Sequence, residues 1–172
     1  MNRMKKIIFI CHGNICRSPM AEYVMKHLVK EAGLENEFEI TSGAVSTEEI
    51  GNDIYPPAKR KLYEKGVEFT HHAAHKITPD EFRYNDLVIL MDSSNQRLLR
   101  YIVKDWEDAP AGENLQGLGI EGKVHLMMEF AGVTRDFADP WYTGDFEQTY
   151  RDVLAGCTGL LALIKGQAFN RI

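Results

Sequence analysis

Residues 7–19, Ile-Ile-Phe-Ile-Cys-His-Gly-Asn-Ile-Cys-Arg-Ser-Pro, constrain this chain more than any other stretch. An apolar run reads as a strand, and it delivers Cys11 to the mouth of a short polar loop. The loop closes on Arg17, Ser18 and Pro19, a proline suited to the first turn of a helix. A tight loop at a helix N-terminus can aim several backbone N–H groups at one point, where the helix dipole also favours negative charge. Strand, loop and helix in that order predict an anion site.

The residue types inside the loop suit a phosphate dianion. Gly13 lets the backbone approach closely, and Asn14 is the non-glycine residue that best tolerates a left-handed turn. Arg17 supplies a planar fork able to grip two phosphate oxygens at once. Cys11 sits at the loop's base, where nearby donors and the dipole stabilise a thiolate. Held under a bound phosphate ester, such a thiolate is an in-line nucleophile. A lone cysteine ending a strand is more often a small buried hydrophobe, but the polar residues that follow Cys11 are poor core material. A metal site on Cys11, His12 and Cys16 lacks a second close ligand pair, and the loop lacks the Gly-Lys-Ser/Thr ending of an ATP-binding loop.

Cysteine and arginine separated by five residues, followed by Ser-Pro-Met-Ala-Glu at 18–22, resemble the low-molecular-weight protein tyrosine phosphatase family, and the similarity runs across almost the whole chain. The resemblance implies catalytic roles for Cys11 and Arg17. It places the bound phosphate on the loop His12, Gly13, Asn14, Ile15, Cys16, Arg17 and Ser18.

The chain has 172 residues, enough for one domain with a real core, so residues 1–172 are expected to form a single unit. A composition 44% hydrophobic and 26% charged is that of an ordinary soluble protein, and the net charge of −5 argues against a nucleic-acid or anionic-membrane partner. Met1 to Lys6 leads directly into the first strand and no apolar run reaches membrane-spanning length, so a cytoplasmic location is expected. Three cysteines without a disulfide framework fit a reducing compartment.

Along the chain, helical spacing predicts a helix over Met20 to Ala32, stopped by Gly33, then a second strand over Phe38 to Ala44. A turn-rich loop at 46–53 precedes a helix over Pro56 to Lys65, whose Lys59, Arg60 and Lys61 read as a solvated face. His71, His72 and His75 invite a metal, but no carboxylate or cysteine stands near them in sequence, and no metal is expected. Thr78 to Phe82 opens a short helix, and Leu87 to Met91 is the third and most buried strand. Asp92 reads as the N-cap of a helix through Leu98, Leu99 and Ile102. Residues 105–123, with four glycines, read as an exposed loop, Val124 to Met128 as the fourth strand, and Phe146 to Lys165 as the last helix, with Cys157 in the core. Strands alternating with helices predict a three-layer α/β sandwich: a four-stranded parallel sheet of order 2-1-3-4 with helices on both faces. The first strand then lies at the switch point where ligands bind, and Asp92 shares its crevice.

Asp139-Pro140-Trp141-Tyr142 precedes the last helix. Asp-Pro is a common turn opener, yet cleaving a phosphate ester needs a proton for the departing oxygen, and a carboxylic acid above the phosphate can provide it. In the resemblance Asp139 matches the general acid and base, and Trp141 and Tyr142 match the wall that grips an aryl ring, although tyrosine is commoner where this chain has Trp141. The resemblance also implies that Asn14, Ser18, Ser42 and His72 brace the loop, Ser18 steadying the sulfur, while Asp92 supports the site through Arg17. Cys16 matches a neighbour able to form a disulfide with an oxidised Cys11.

The implied activity is metal-independent and cofactor-free hydrolysis of phosphotyrosine in proteins, or of small aryl phosphates, by a monomer releasing inorganic phosphate. A thiol-dependent arsenate reductase shares the fold, but such enzymes relay oxidation through further cysteines, and none lies between Cys16 and Cys157. A phosphoarginine phosphatase is a closer alternative; members of that branch tend to carry threonine where Ile15 stands. A non-catalytic phosphate-binding module would require neither a nucleophile nor Asp139.

Overall fold

The computed structural model describes residues 3–104, 106 and 122–169. Among the described residues the elements follow in the order β1 (Lys5–Cys11), α1 (Arg17–Glu31), a 3₁₀ turn (Glu35–Glu37), β2 (Phe38–Ala44), α2 (Pro56–Glu64), α3 (Pro79–Tyr84), β3 (Leu87–Leu90), α4 (Ser93–Val103), β4 (Val124–Leu126), α5 (Met127–Phe130), α6 (Pro140–Thr143) and α7 (Phe146–Phe169). The sheet has the order β2-β1-β3-β4, and every pairing is parallel.

Alternation along β1 decides which core each residue enters. Ile7, Phe9 and Cys11 face the larger core, with Met20 and Val24 of α1 and Val153, Cys157 and Leu160 of α7. Ile8 and Ile10 face the smaller core with Val88, Leu90 and Leu99 of α4. From Ile7 onward β1 is buried on both faces and reads as a continuous apolar run, because positions 7–11 do not meet water. Because every pairing is parallel, all four strands leave the sheet at the same carboxyl edge, and the loops after them gather there.

The fourth strand is shorter than the sequence predicts. Pairing with β3 covers Val124, His125 and Leu126 only, and the chain then turns into α5 where the Glu129 carboxylate accepts the Leu126 N–H at 3.1 Å. Met127 and Met128 are consecutive and both buried, which one face of a strand cannot achieve and a helical turn can. This turn packs against two glycines of α7. A Cβ on Gly156 would lie 2.3 Å from the Met127 sulfur, and one on Gly159 would lie 1.8 Å from the Phe130 carbonyl oxygen.

Two of the three basic residues of α2 are engaged rather than simply solvated. Lys59 pairs with Asp53, and Lys61 joins Lys65 on Glu147 of α7. The expected loop at 105–123 falls outside the described residues apart from Trp106, Gly122 and Lys123. Trp106 packs on Phe82, and the buried Lys123 ammonium donates to the Phe82 and Arg83 carbonyls. Among the described residues no helix is long and apolar enough to cross a membrane.

Candidate active site

β1 ends at Cys11 and α1 begins at Arg17, so the loop between them turns at the head of a buried helix. Asn14 makes the turn with φ = 62°, alone among non-glycine residues described in taking a positive φ. The Asn14 N–H points back at the Cys11 sulfur at 3.3 Å, and the Ser18 Oγ lies 3.0 Å from the same atom. Asn14, Ser18 and Ser42 are buried beneath the loop and joined there. The Asn14 amide Nδ2 donates to Ser18 Oγ at 2.8 Å and to Ser42 Oγ at 3.0 Å. Its Oδ1 accepts the His75 N–H at 3.3 Å, and His72 Nε2 donates to the Asn14 carbonyl at 2.8 Å. The strained turn is therefore held by a strand and a loop far away in sequence.

Arg17 is buried and fully engaged on one edge of its fork. One terminal nitrogen donates to Asp92 Oδ2 at 2.7 Å and to the Phe137 carbonyl at 2.9 Å; the other reaches Asp139 Oδ2 at 3.2 Å. Burial works against its charge, but Cys11, Asp139 and Asp92 more than offset that and raise its basicity further. Asp92 does two things with two oxygens: Oδ1 caps α4 by accepting the Asn95 N–H at 2.7 Å, and Oδ2 holds Arg17.

Asp139 arrives from the other end of the chain. It caps the single turn α6 by accepting the Trp141 N–H at 3.0 Å, and Gly144, with φ = 70°, ends that turn. The approach to it is clamped twice. Arg135 forms a two-pronged pair with the buried Asp152 of α7 at 2.6 and 3.1 Å, and Asp136 accepts both the N–H and the hydroxyl of Ser93 at 3.1 and 2.7 Å. Trp141 and Tyr142 stay exposed, and Trp141 leans on Tyr55 with ring centroids 5.2 Å apart.

Cys11, Ile15, Arg17, Asp139, Trp141 and Tyr142 line one cleft of ≈ 130 Å³, with Glu48 and Glu49 across from the aromatic side chains. The His12 ring turns to the Glu48 carboxylate, 2.9 Å away, instead of to Cys11. Gly13 has a negative φ, so its requirement is steric: a Cβ would come 3.1 Å from Glu49 Cγ. Cys16 is buried beside Cys11, and burial followed by the Cys11 and Asp139 charges pushes its thiol well up. The three histidines diverge, His71 to Asp53, His72 to the Asn14 carbonyl and His75 to Glu81, which raises the His75 pKa.

Every side chain expected at the site from the sequence lies in this cleft or directly beneath it. Sequence reasoning missed Tyr55, Glu48 and Glu49, which only chain folding brings to the rim. It also missed Glu22, whose Oε1 accepts the Ser42 hydroxyl at 2.6 Å. A signal for it existed, since Ser18 and Glu22 are four apart on one face of α1.

A model of the low molecular weight phosphotyrosine protein phosphatase family matches residues 6–169. The chain belongs to that family. A relative in the phosphatase family, the low molecular weight phosphotyrosine protein phosphatase of Gallus gallus, is 35% identical over 160 residues, covering 92% of this chain and 94% of the chicken protein. Among solved structures, the Streptococcus pyogenes low molecular weight protein tyrosine phosphatase is 33% identical with a TM-score of 0.78 over 98% of both chains. The Drosophila arginine phosphatase is 25% identical with a TM-score of 0.79, covering 91% of this chain and 95% of the other.

Proposed function

We propose that this phosphatase-family member hydrolyses phosphotyrosine in proteins, and small aryl phosphates, through a cysteinyl-phosphate intermediate. The observation that carries the reading is the convergence of Cys11, Arg17 and Asp139 on one cleft, with Arg17 and Asp139 in contact across 122 residues of sequence. Phosphate oxygens bind the loop N–H groups and Arg17, whose other contacts to Asp92 and the Phe137 carbonyl keep the guanidinium in place. The ester competes with Asp139 for Arg17 and leaves that carboxyl free to face the departing oxygen.

In the first step the Cys11 thiolate attacks phosphorus, forming the S–P bond as the P–O bond to the aryl group breaks and Asp139 gives its proton to the phenolate oxygen. In the second, the Asp139 carboxylate takes a proton from water, the water oxygen attacks phosphorus, and the S–P bond breaks. Inorganic phosphate departs and the thiolate returns to the Ser18 hydroxyl and Asn14 N–H that face it. Trp141 and Tyr142 form the wall for the aryl ring.

A second reading, hydrolysis of phosphoarginine, has support in the likeness to the Drosophila arginine phosphatase and in the stacking of guanidinium groups on aromatic faces. One experiment separates them: hydrolysis of p-nitrophenyl phosphate, a phosphotyrosine peptide and a phosphoarginine peptide by wild type and Cys11→Ser, all with a chelator present. Activity that resists the chelator, vanishes in the variant and favours phosphotyrosine is expected. Preference for phosphoarginine selects the second reading, and phosphate binding without turnover by wild type overturns both.

A further inference from the structure

We propose that Glu22 is a positioning residue that takes the Ser42 proton and so keeps Ser42 an acceptor for the Asn14 amide, which in turn holds Ser18 with its hydroxyl proton pointed at Cys11. This deepens the proposed function and rests on Cys11 being the nucleophile.

The direction follows from which groups can only donate or only accept. The His75 N–H can only donate, so Asn14 turns Oδ1 towards it and Nδ2 towards the two serines. Both serine oxygens must then accept from Asn14. The Ser42 proton needs another acceptor, and Glu22 Oε1 stands 2.6 Å away with no proton of its own to offer as a carboxylate. The Ser18 proton has two places to go, Cys11 Sγ at 3.0 Å and the Gly43 carbonyl at 3.3 Å, and the nearer one is the sulfur. Donation therefore runs outward from the Asn14 amide on two branches, through Ser18 to Cys11 and through Ser42 to Glu22. On its outer side Glu22 Oε2 accepts the Lys26 ammonium at 2.6 Å, which keeps the carboxylate paired although Glu22 is only 8% exposed.

Glu22→Gln makes the dependence testable because Lys26 can only donate. The ammonium claims the amide oxygen and turns the amide N–H₂ towards Ser42, which then has two donors facing it and no acceptor for its own proton. Asn14 is pushed off Ser42, and Ser18 loses its orientation. In Glu22→Gln with Lys26→Met, nothing claims the amide oxygen, and it can swing back to Ser42. The other charged groups near Cys11, namely Arg17 of α1, Asp139 of α6, Asp92 at the head of α4 and Glu49 of the facing loop, stay the same in both variants.

The readout is the rate of Cys11 alkylation by iodoacetamide across pH, on the full chain with Cys16→Ser and Cys157→Ser in every protein compared, with a thermal melt to show that each variant is folded. Glu22→Gln is expected to slow alkylation about tenfold near neutral pH and to move its midpoint up by about one unit; the added Lys26→Met is expected to recover most of both. Charge alone predicts the opposite signs, since deleting an anion lowers the midpoint and deleting Lys26 raises it again. An unchanged or lowered midpoint in Glu22→Gln, or a double variant no better than the single, overturns the proposal. Because alkylation needs no turnover, a wild type that alkylates as expected but cleaves no phosphate ester would sink the proposed function and leave this inference standing.

Discussion

The two sides of the cleft are built differently. Cys11 to Ser18 is held closely: Asn14, Arg17 and Ser18 are almost wholly buried, and the turn is fixed by hydrogen bonds to buried serines and to the His72 ring. The stretch from Arg135 to Tyr142 is anchored in the core at Phe137 and is otherwise held by the Arg135–Asp152 ion pair and a serine, with Trp141 55% and Tyr142 85% exposed. The side that carries the proposed nucleophile is preorganised, which would suit a group that must meet phosphorus in line at every turnover. Opposite it, the proposed acid Asp139 makes a longer contact to Arg17, 3.2 Å, than the 2.7 Å contact of Asp92, so it is the partner that a bound ester displaces more easily.

Four measurements break or sharpen that contrast. Asp139→Asn should lower kcat for p-nitrophenyl phosphate by about 10²–10³-fold, and more for esters of poorer leaving groups, while Cys11 alkylation does not slow. A parallel fall in alkylation would mean the two sides are not separable. Asn14→Ala should lower both alkylation and kcat/KM, the latter about 100-fold, because it removes the amide that links three elements and places alanine at a positive φ. Arg135→Ala should cost about fivefold in kcat, the equivalent of roughly 1 kcal/mol from a partly exposed pair, and leave alkylation unchanged. A loss of alkylation there would show that the acid segment also props the loop.

The smallest effect concerns the surface network behind the cleft. Lys61 and Lys65 hold Glu147 at a pKa of about 2, below the usual glutamate range. A depressed carboxylate contributes stability that is fully present above its unfolded pKa and lost as pH falls through the folded one. The melting temperature of Glu147→Gln should therefore fall slightly below that of wild type at pH 7 and meet it near pH 2, with the gap shrinking in high salt. A gap that persists at pH 2 would mean packing rather than charge is responsible.

Legibility from the sequence followed locality. Cys11, Gly13, Asn14 and Arg17 stand within seven residues, where spacing and residue type already imply the turn and the anion. Asp92 could be placed in the crevice because a parallel sheet sends every strand's carboxyl end to one edge; that it holds Arg17 and caps α4 at once needed coordinates. The boundary at Met127 was misread because buried apolar residues in a short run look alike in a strand and in a helical turn. Gly156 and Gly159 looked like ordinary helix residues until α5 was seen resting on them.

The sequence by itself determined the alternation of strands and helices that sets the sheet order and the strand-loop-helix turn from Cys11 to Arg17, since periodicity and short-range spacing are properties of the chain alone, while Asp139 stood out only through the resemblance to the phosphatase family. Only the tertiary structure decided what those groups lean on: Glu22 under Ser42, Tyr55 behind Trp141, Asp152 beneath Arg135 and Glu49 over Gly13. These are long-range contacts between polar or aromatic side chains. No local pattern encodes them, because their energy comes from being brought together in a place that excludes water.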